Sequence, residues 1–455
     1  MALASPALAG TFGAGATAKF FPSQGPRGTI ATGATTARLT LTTALPAAVG
    51  VNQLANRGDG LGFLIRVINN AAGSAGRIEE RRIVANTAGT TPTIWLDTAL
   101  TAAPLLGDGY EIRSGRVFLL SAGTLAAGVW KFYDIATNSY SGNLATTNLP
   151  ATIGTDSSMV CLSESHVPVS RQTGEGFVSG AGTYDGGKNC IVATASSATT
   201  ITGAGMFSDL ATDEYRNFQV RIVEDTTTPT AVNQRRRITS HTSGAAGVFT
   251  VPTWTVTPSA TAKFVIENDD DKILLKSSAS TSTFTYNITG NTWDTTTFAA
   301  QTAVGVGCIF EQSFGIERDV GANARHSFLY TVLGGGSANM DVLDIAGGAT
   351  GLNSANIAYG KKNQTFTTGT CGAYDPATLS GRFLHINING TQRMARFDMR
   401  NRVLDVGAYL RYPQGAAVVG AKLANGLFID GATKSNFLYH ATNTSTAMFS
   451  TVIQR

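Results

Sequence analysis

GFLIRVINNAAGSAGRIEERRIVANTAGTTPTIWLDTALTAAPLLGDGYEIRSGRVFLL, residues Gly62–Leu120, returns as NFQVRIVEDTTTPTAVNQRRRITSHTSGAAGVFTVPTWTVTPSATAKFVIENDDDKILL, residues Asn217–Leu275. Arg66 aligns with Arg221, Ile83 with Ile238, Thr87 with Thr242 and Gly89 with Gly244, each at the spacing 221 − 66 = 155. A repeat of this length sets the architecture before any single residue is interpreted. It also argues against an enzyme built around one unique centre.

Inside the repeat the pattern is that of strands. FLIRVI (63–68), RRIVA (81–85), TIWLD (93–97), YEIRS (110–114), FQVRIV (218–223), FTVPTW (249–254) and KFVIEN (263–268) are short, rich in β-branched and aromatic residues, and bounded by Gly, Pro, Thr or Asn. Helical periodicity is nearly absent. Fifty-one glycines among 455 residues, with 43% hydrophobic and only 14% charged residues, describe a turn-rich β chain with enough apolar side chains to pack.

A shorter repeat follows each long one: WKFYDIATNSY (130–140) after the first and FTYNITGNTW (284–293) after the second. Tyr133 matches Tyr286, Asp134 matches Asn287, Asn138 matches Asn291 and Tyr140 matches Trp293. Each reads as a β-hairpin with Asp/Asn/Thr/Gly turn chemistry. The cadence recurs without the long insert from Ser327, Arg382 and Leu427, so unit starts near 117, 272, 327, 382 and 427 give five units.

YDIATNSY, YNITGNTW and YDPATLSG (374–381), each beside a strand–turn–strand, resemble the YDPATNTW hairpin of kelch-type β-propeller blades. Only Gly334-Gly335-Gly336 supplies the glycines expected before a blade hairpin. The long insert, RRITSHTSGAAGVFTVPTWTVTPSATAKFVIEN (236–268) and more loosely residues 81–114, looks like a small β module common in bacteriophage virion proteins. The expectation is an all-β chain: a kelch-like β-propeller of about five or six blades with two inserted small β modules and an extended N-terminal arm. Its parts are the arm at 1–27, module copy 1 at 28–114, a blade region at 115–187, module copy 2 at 188–269 and the remaining blades at 270–455.

The resemblance implies a structural protein of a bacteriophage virion, in the tail, neck or collar, assembled in the host bacterial cytoplasm. Its partners would be copies of itself in a ring or sleeve and neighbouring tail or head proteins. The Gly/Ala/Pro-rich arm would be ordered by an adjacent subunit. The alternative is a receptor- or glycan-binding propeller at a tail tip, and a glycan-degrading enzyme on the same scaffold would need inward carboxylates.

No residue is expected to do chemistry: catalytic none, cofactor none, metal none. The near-balanced charge of +4 lacks a basic stripe for nucleic acid, and no apolar run is long enough for a membrane helix. The N-terminus lacks the charged and apolar regions of a signal peptide. Arg81-Arg82 and Arg235-Arg236-Arg237 read as strand-surface arginines that pair or snorkel, in preference to phosphate binding. Cys161, Cys190, Cys308 and Cys371 show no metal or disulfide spacing, and Cys161 and Cys308 read as one buried strand position used twice.

The acidic run Glu267–Asp271 reads as a solvated linker turn before a calcium site. Arg57-Gly58-Asp59 reads as a turn, and GTFGAGATAK (10–19) as arm or linker and no phosphate loop. Asp134, Asp344, Asp398 and Asp405 read as turn carboxylates, and Trp95, Trp130, Trp254 and Trp293 as core residues in preference to sugar platforms.

Overall fold

The computed structural model describes residues 16–21, 24–58, 60–121, 128–149, 153–155, 157–161, 190–204, 212–213, 215–267, 271–278, 280–295, 302–314, 327–344, 352–356, 358–359, 362–363, 365–367, 370–375, 383–387, 393–398, 403–411, 422–430, 433–441 and 448–452. Among them there are strands and a short 3-10 turn at Pro229–Ala231 but no α-helix.

The chain opens with β1 (Thr17–Phe21) and then leaves for the first module: β2 (Arg27–Thr29), β3 (Arg38–Thr40), β4 (Leu64–Asn69), β5 (Arg77–Asn86), β6 (Thr93–Leu96) and β7 (Gly109–Arg113). It returns as β8 (Arg116–Leu120), β9 (Trp130–Asp134) and β10 (Ser139–Tyr140), which complete a four-stranded sheet with β1. The pattern repeats. β11 (Ser158–Cys161) precedes the second module, β12 (Ile191–Ser196), β13 (Thr200–Ala204), β14 (Gln219–Glu224), β15 (Arg235–Arg237), β16 (Ser240–His241), β17 (Val248–Thr250) and β18 (Lys263–Glu267). Then β19 (Lys272–Lys276), β20 (Thr283–Asn287) and β21 (Thr292–Thr295) close the second sheet.

Undecorated sheets follow. β22 (Ile309–Phe314), β23 (Ser327–Val332), β24 (Asn339–Asp344) and β25 (Leu352–Asn356) form the third. The fourth holds β26 (Ala358–Tyr359), β27 (Lys362–Asn363), β28 (Cys371–Asp375), β29 (Phe383–Asn387), β30 (Arg393–Asp398) and β31 (Val403–Arg411). β32 (Lys422–Asp430), β33 (Thr433–Ala441) and β34 (Met448–Val452) make a three-stranded sheet.

The first strands meet in turn: β1 touches β11, β11 touches β22, β22 touches β28, and β32 touches both β28 and β1. The arrangement resembles a β-propeller. The expected five or six blades are corrected to four sheets of four or more strands, with the three-stranded β32–β34 sheet lying between the first and the fourth. The unit starts read near 117, 272, 327 and 382 fall on the second strand of a sheet. In the first two sheets the first strand lies upstream of a whole module, far from the repeat it leads. The fifth start, 427, falls inside β32.

Thr17–Phe21 also corrects the picture of the N-terminal segment. This stretch is buried and pairs antiparallel with β8, Thr17 opposite Leu120 and Phe21 opposite Arg116, so it is an inner strand of its own chain. Residues 10–15 of the glycine-rich run lie outside the described residues. Neighbouring sheets pack through aromatics: Trp130 stands edge-on to Tyr286 at 5.2 Å and lies 5.2 Å from Trp293. Lys19 on β1 and Glu311 on β22, both buried, form an ion pair that bridges the first and third sheets past β11.

Both hairpins are present as β9–β10 and β20–β21. Asn138 and Asn291 take φ of 50° and 49°, the left-handed conformation that asparagine tolerates. Each offers its amide oxygen to the tyrosine hydroxyl five residues back, Tyr286 at 2.7 Å in the second copy and Tyr133 in the first. Tyr374-Asp375 differs: it ends β28, the first strand of its sheet, instead of the third. Gly334, Gly335 and Gly336 all have positive φ in the turn between β23 and β24.

Asp134 is fully buried and accepts from Arg116 Nε at 2.8 Å and the Thr137 amide at 3.3 Å, so it closes a turn. Asp398 ends β30; Asp344 ends β24 and Asp405 lies on β31. Trp130, Trp254 and Trp293 are core residues, but Trp95 is 38% exposed on β6, a correction. Alternation along this four-residue strand buries Ile94 and Leu96 and turns Trp95 outward. No disulfide joins the four cysteines. Cys161 ends β11 whereas Cys308 precedes β22; both are buried, but in different apolar clusters and at different strand positions.

Candidate functional site

The two modules share one 13-stranded sheet, joined where Glu224 of β14 pairs with Arg77 of β5. Arg77 also pairs with Asn69, which stands at Glu224's place in the first copy (224 − 69 = 155). The strands meet at Gly76, whose carbonyl accepts the Asp225 amide at 2.7 Å. Gly76 has φ +65°, and a Cβ there would lie 2.2 Å from the Asp225 carbonyl oxygen, so only glycine fits. Arg77 and Lys263 hold the Glu224 carboxylate at 3.3 and 2.7 Å. Ile68 and Ile78 of the first module complete the second module's apolar core.

Between the modules lies a buried charged layer. On the first module three side chains stand directly across neighbouring strands: Glu80 on β5, Arg66 on β4 and Glu111 on β7. Arg66 reaches Glu80 at 2.9 Å and Glu111 at 3.2 Å. The matching row on the second module is Arg235, Arg221 and Val265. Two arginines facing each other on adjacent strands repel.

Anions from both modules offset that repulsion. Glu267 binds Arg221 Nε at 2.6 Å. Glu111 of the first module lies 3.2 Å from Arg235 and 3.9 Å from Arg221. Burial pushes the Glu111 carboxyl up, but Arg235, Arg66, Arg221 and Arg27 outweigh it and hold the pKa at about 2. Glu267 is therefore a structural ion-pair partner; the expected solvated acidic turn is corrected there, and residues 268–270 lie outside the described residues. Asp271, at the end of that run, caps the Thr289 amide at 2.9 Å.

The charged layer opens into a cleft of about 650 Å³ bounded by β2, β7, β15, the start of β19 and the β20–β21 turn. Arg27, Arg235, Arg236, Arg237 and Lys272 line it, against the carboxylates Glu111 and Asp271. Hydrogen bonds from three of these arginines go to neutral oxygens. Arg27 donates to Gln24 Oε1 at 2.6 Å, and Arg237 Nε to Asn217 Oδ1 at 3.2 Å. Arg236 donates to Thr253 O and Thr255 Oγ1, both at 2.9 Å, over the Trp254 ring. The cleft thus carries surplus positive charge and suits an anion. Asn233, also at its wall, has a buried Oδ1 with no hydrogen-bond partner among the described residues.

Within the arginine runs, Arg81 donates to Ala99 O and Glu79, and Arg236 likewise to Thr253 O. The cleft itself was missed, because Arg27 and Lys272 flank it from segments far from β15. The signal available was the contrast Ile78-Glu79-Glu80 against Asn233-Gln234-Arg235 at equivalent positions. The other motifs do not converge here. Arg57 and Gly58 form a turn, with Gly58 N on Asn56 Oδ1 at 3.0 Å, and Asp59 lies outside the described residues. Among the described residues no group of three or more His, Cys, Asp or Glu could hold a metal ion.

No family model matches the chain, and no curated protein does. Among solved structures it is similar to a glutaminyl cyclase from Myxococcus xanthus, at 10% identity and TM-score 0.25, covering 49% of this chain and 88% of that one. A second is the α-L-arabinofuranosidase Arb93A from Fusarium graminearum, at 9% identity and TM-score 0.29, covering 75% and 90%. The NanB sialidase of Streptococcus pneumoniae, as its K499G mutant, matches at 7% identity and TM-score 0.28 over 98% and 84%. Likenesses this slight assign no activity to the chain.

Proposed function

We propose that this chain is a structural component of a bacteriophage virion, a tail, neck or collar protein that assembles into a ring or sleeve with copies of itself and neighbouring virion proteins. The observation that carries the reading is the module joint, where buried charges hold parts together: Glu111 and Glu267 are engaged by arginines of β4, β14 and β15. The kelch-like hairpins and the likeness of the inserts to virion modules support it. The role is mechanical, with no catalysis, cofactor, specific nucleic acid or membrane.

Electron microscopy and sedimentation of the purified full chain test this. Closed rings or stacked sleeves are expected; a monodisperse monomer at the highest attainable concentration overturns it. The cleft favours a second reading, a receptor- or glycan-binding module at a tail tip.

A further inference from the structure

We infer that the cleft between the modules is a binding site for an acidic saccharide, with Arg27, Arg235 and Arg237 reading its anionic groups and Asn233 a hydroxyl. This deepens the binding reading and is independent of ring assembly.

Divergence between the copies is the first argument. At equivalent positions the first module has Ile78-Glu79-Glu80-Arg81-Arg82, formally neutral, and the second has Asn233-Gln234-Arg235-Arg236-Arg237, formally +3. The β4–β5 and β14–β15 ladders keep the same register, Ile65 opposite Arg81 and Val220 opposite Arg236. Strand pairing therefore did not demand the change. The strand that gained charge is the one that lines the cleft.

Chemistry of the wall is the second argument. Guanidinium groups supply forked donors for carboxylate, sulfate or phosphate. Asn233, on the same wall, has a buried Oδ1 acceptor unpaired among the described residues, which calls for a ligand that also carries O–H or N–H groups. Asn70, Thr29 and Thr289 add neutral polar groups, while Tyr110 is buried with its hydroxyl on the Thr43 carbonyl. A peptide ligand draws its affinity from apolar or aromatic anchors in pockets, whereas Ile68 and Tyr110, which also line this cleft, are buried. A hydroxylated ring bearing an acid matches it, and the volume falls in the range of small-ligand clefts.

The test uses the full chain and calorimetric titration with oligomers of galacturonate, sialic acid and a phosphorylated hexose. The methyl ester of the galacturonate oligomer, tetraglutamate and inorganic phosphate are the controls. At least one acidic oligomer should bind, weaken as salt rises, and lose about tenfold or more in affinity in Arg27→Gln and in Arg237→Gln. Arg82→Gln, the first-module counterpart of Arg237, should leave affinity within about twofold, a control set by the equivalence of the two positions.

Equal binding of the neutral ester, of tetraglutamate or of phosphate overturns the assignment, as does failure of all three acidic oligomers. Circular dichroism melts matched to wild type keep a folding defect from passing as lost binding. Rings that persist in the two variants separate failure of this site from failure of the assembly reading.

Discussion

Strand β4 of the first module and β14 of the second start 155 residues apart and carry arginine at the same place, yet the residues facing those arginines differ in charge. Arg66 stands between two glutamates; Arg221 stands between an arginine and a valine. The first module's row carries a net charge of −1 and the second's +2, which Glu267 and the first module's Glu111 offset. Divergence turned two copies of one backbone into complementary halves. Two first modules would bring four glutamates together, and two second modules four arginines, so the mixed pair is the one the charges favour.

The sharpest way to break this comparison is Glu111→Val, which puts the second module's residue into the first. It leaves Arg66, Arg221 and Arg235 without their shared partner and should cost about 3–5 kcal/mol in denaturant unfolding. Adding Val265→Glu should recover part of the loss, since it restores an anion opposite Arg221. A cost below about 1 kcal/mol would mean the row is incidental.

Acid titration asks the same question without mutation. The Glu111 pKa is depressed from 4.5 to about 2, so its contribution is present above pH 4.5 and lost as pH falls through 2. The loss is on the order of 3 kcal/mol, read as a fall in midpoint denaturant concentration over that window. Glu111→Gln should flatten this part of the profile.

At the backbone joint, Gly76→Ala should cost about 2 kcal/mol or more, because strain at φ +65° adds to the clash with Asp225. Gly89→Ala, at φ +112° in open space, should cost only about 1 kcal/mol. Between the hairpins, Asn291→Ala should cost about 1 kcal/mol more than Asn138→Ala. Asn291 Oδ1 also accepts the Ala145 amide at 2.8 Å, a bond to the neighbouring sheet. The smallest effect belongs to the outer face: Trp95→Thr should change the unfolding free energy little, within about 0.5 kcal/mol in denaturant titration.

What could be read from the sequence was local. Tyr133…Asn138 and Tyr286…Asn291 announce their hairpins because turn chemistry acts within five residues. Ile65, Val67 and their second-copy partners announce strands by alternation. Thr17–Phe21 stayed hidden because an Ala/Gly-rich surround reads as linker, and its partner strand lies about a hundred residues on. The cleft stayed hidden for a related reason: Arg27, Arg235 and Lys272 come from three separate segments, and their convergence depends on how the modules dock.

The place where each module enters its sheet has a consequence for the order of folding. Phe21 meets Arg116 across 116 − 21 = 95 residues of chain, and closing so long a loop is slow. Within the module, however, Arg27 pairs with Glu111, and in the second Ile191 pairs with Phe264. A module that folds first brings its own entry and exit side by side. The strands flanking it then meet as though joined by a short turn, lowering the closure cost by about 2 kcal/mol. As the chain leaves the ribosome, each insert would act as a self-closing clasp that delivers the next strand to one already waiting.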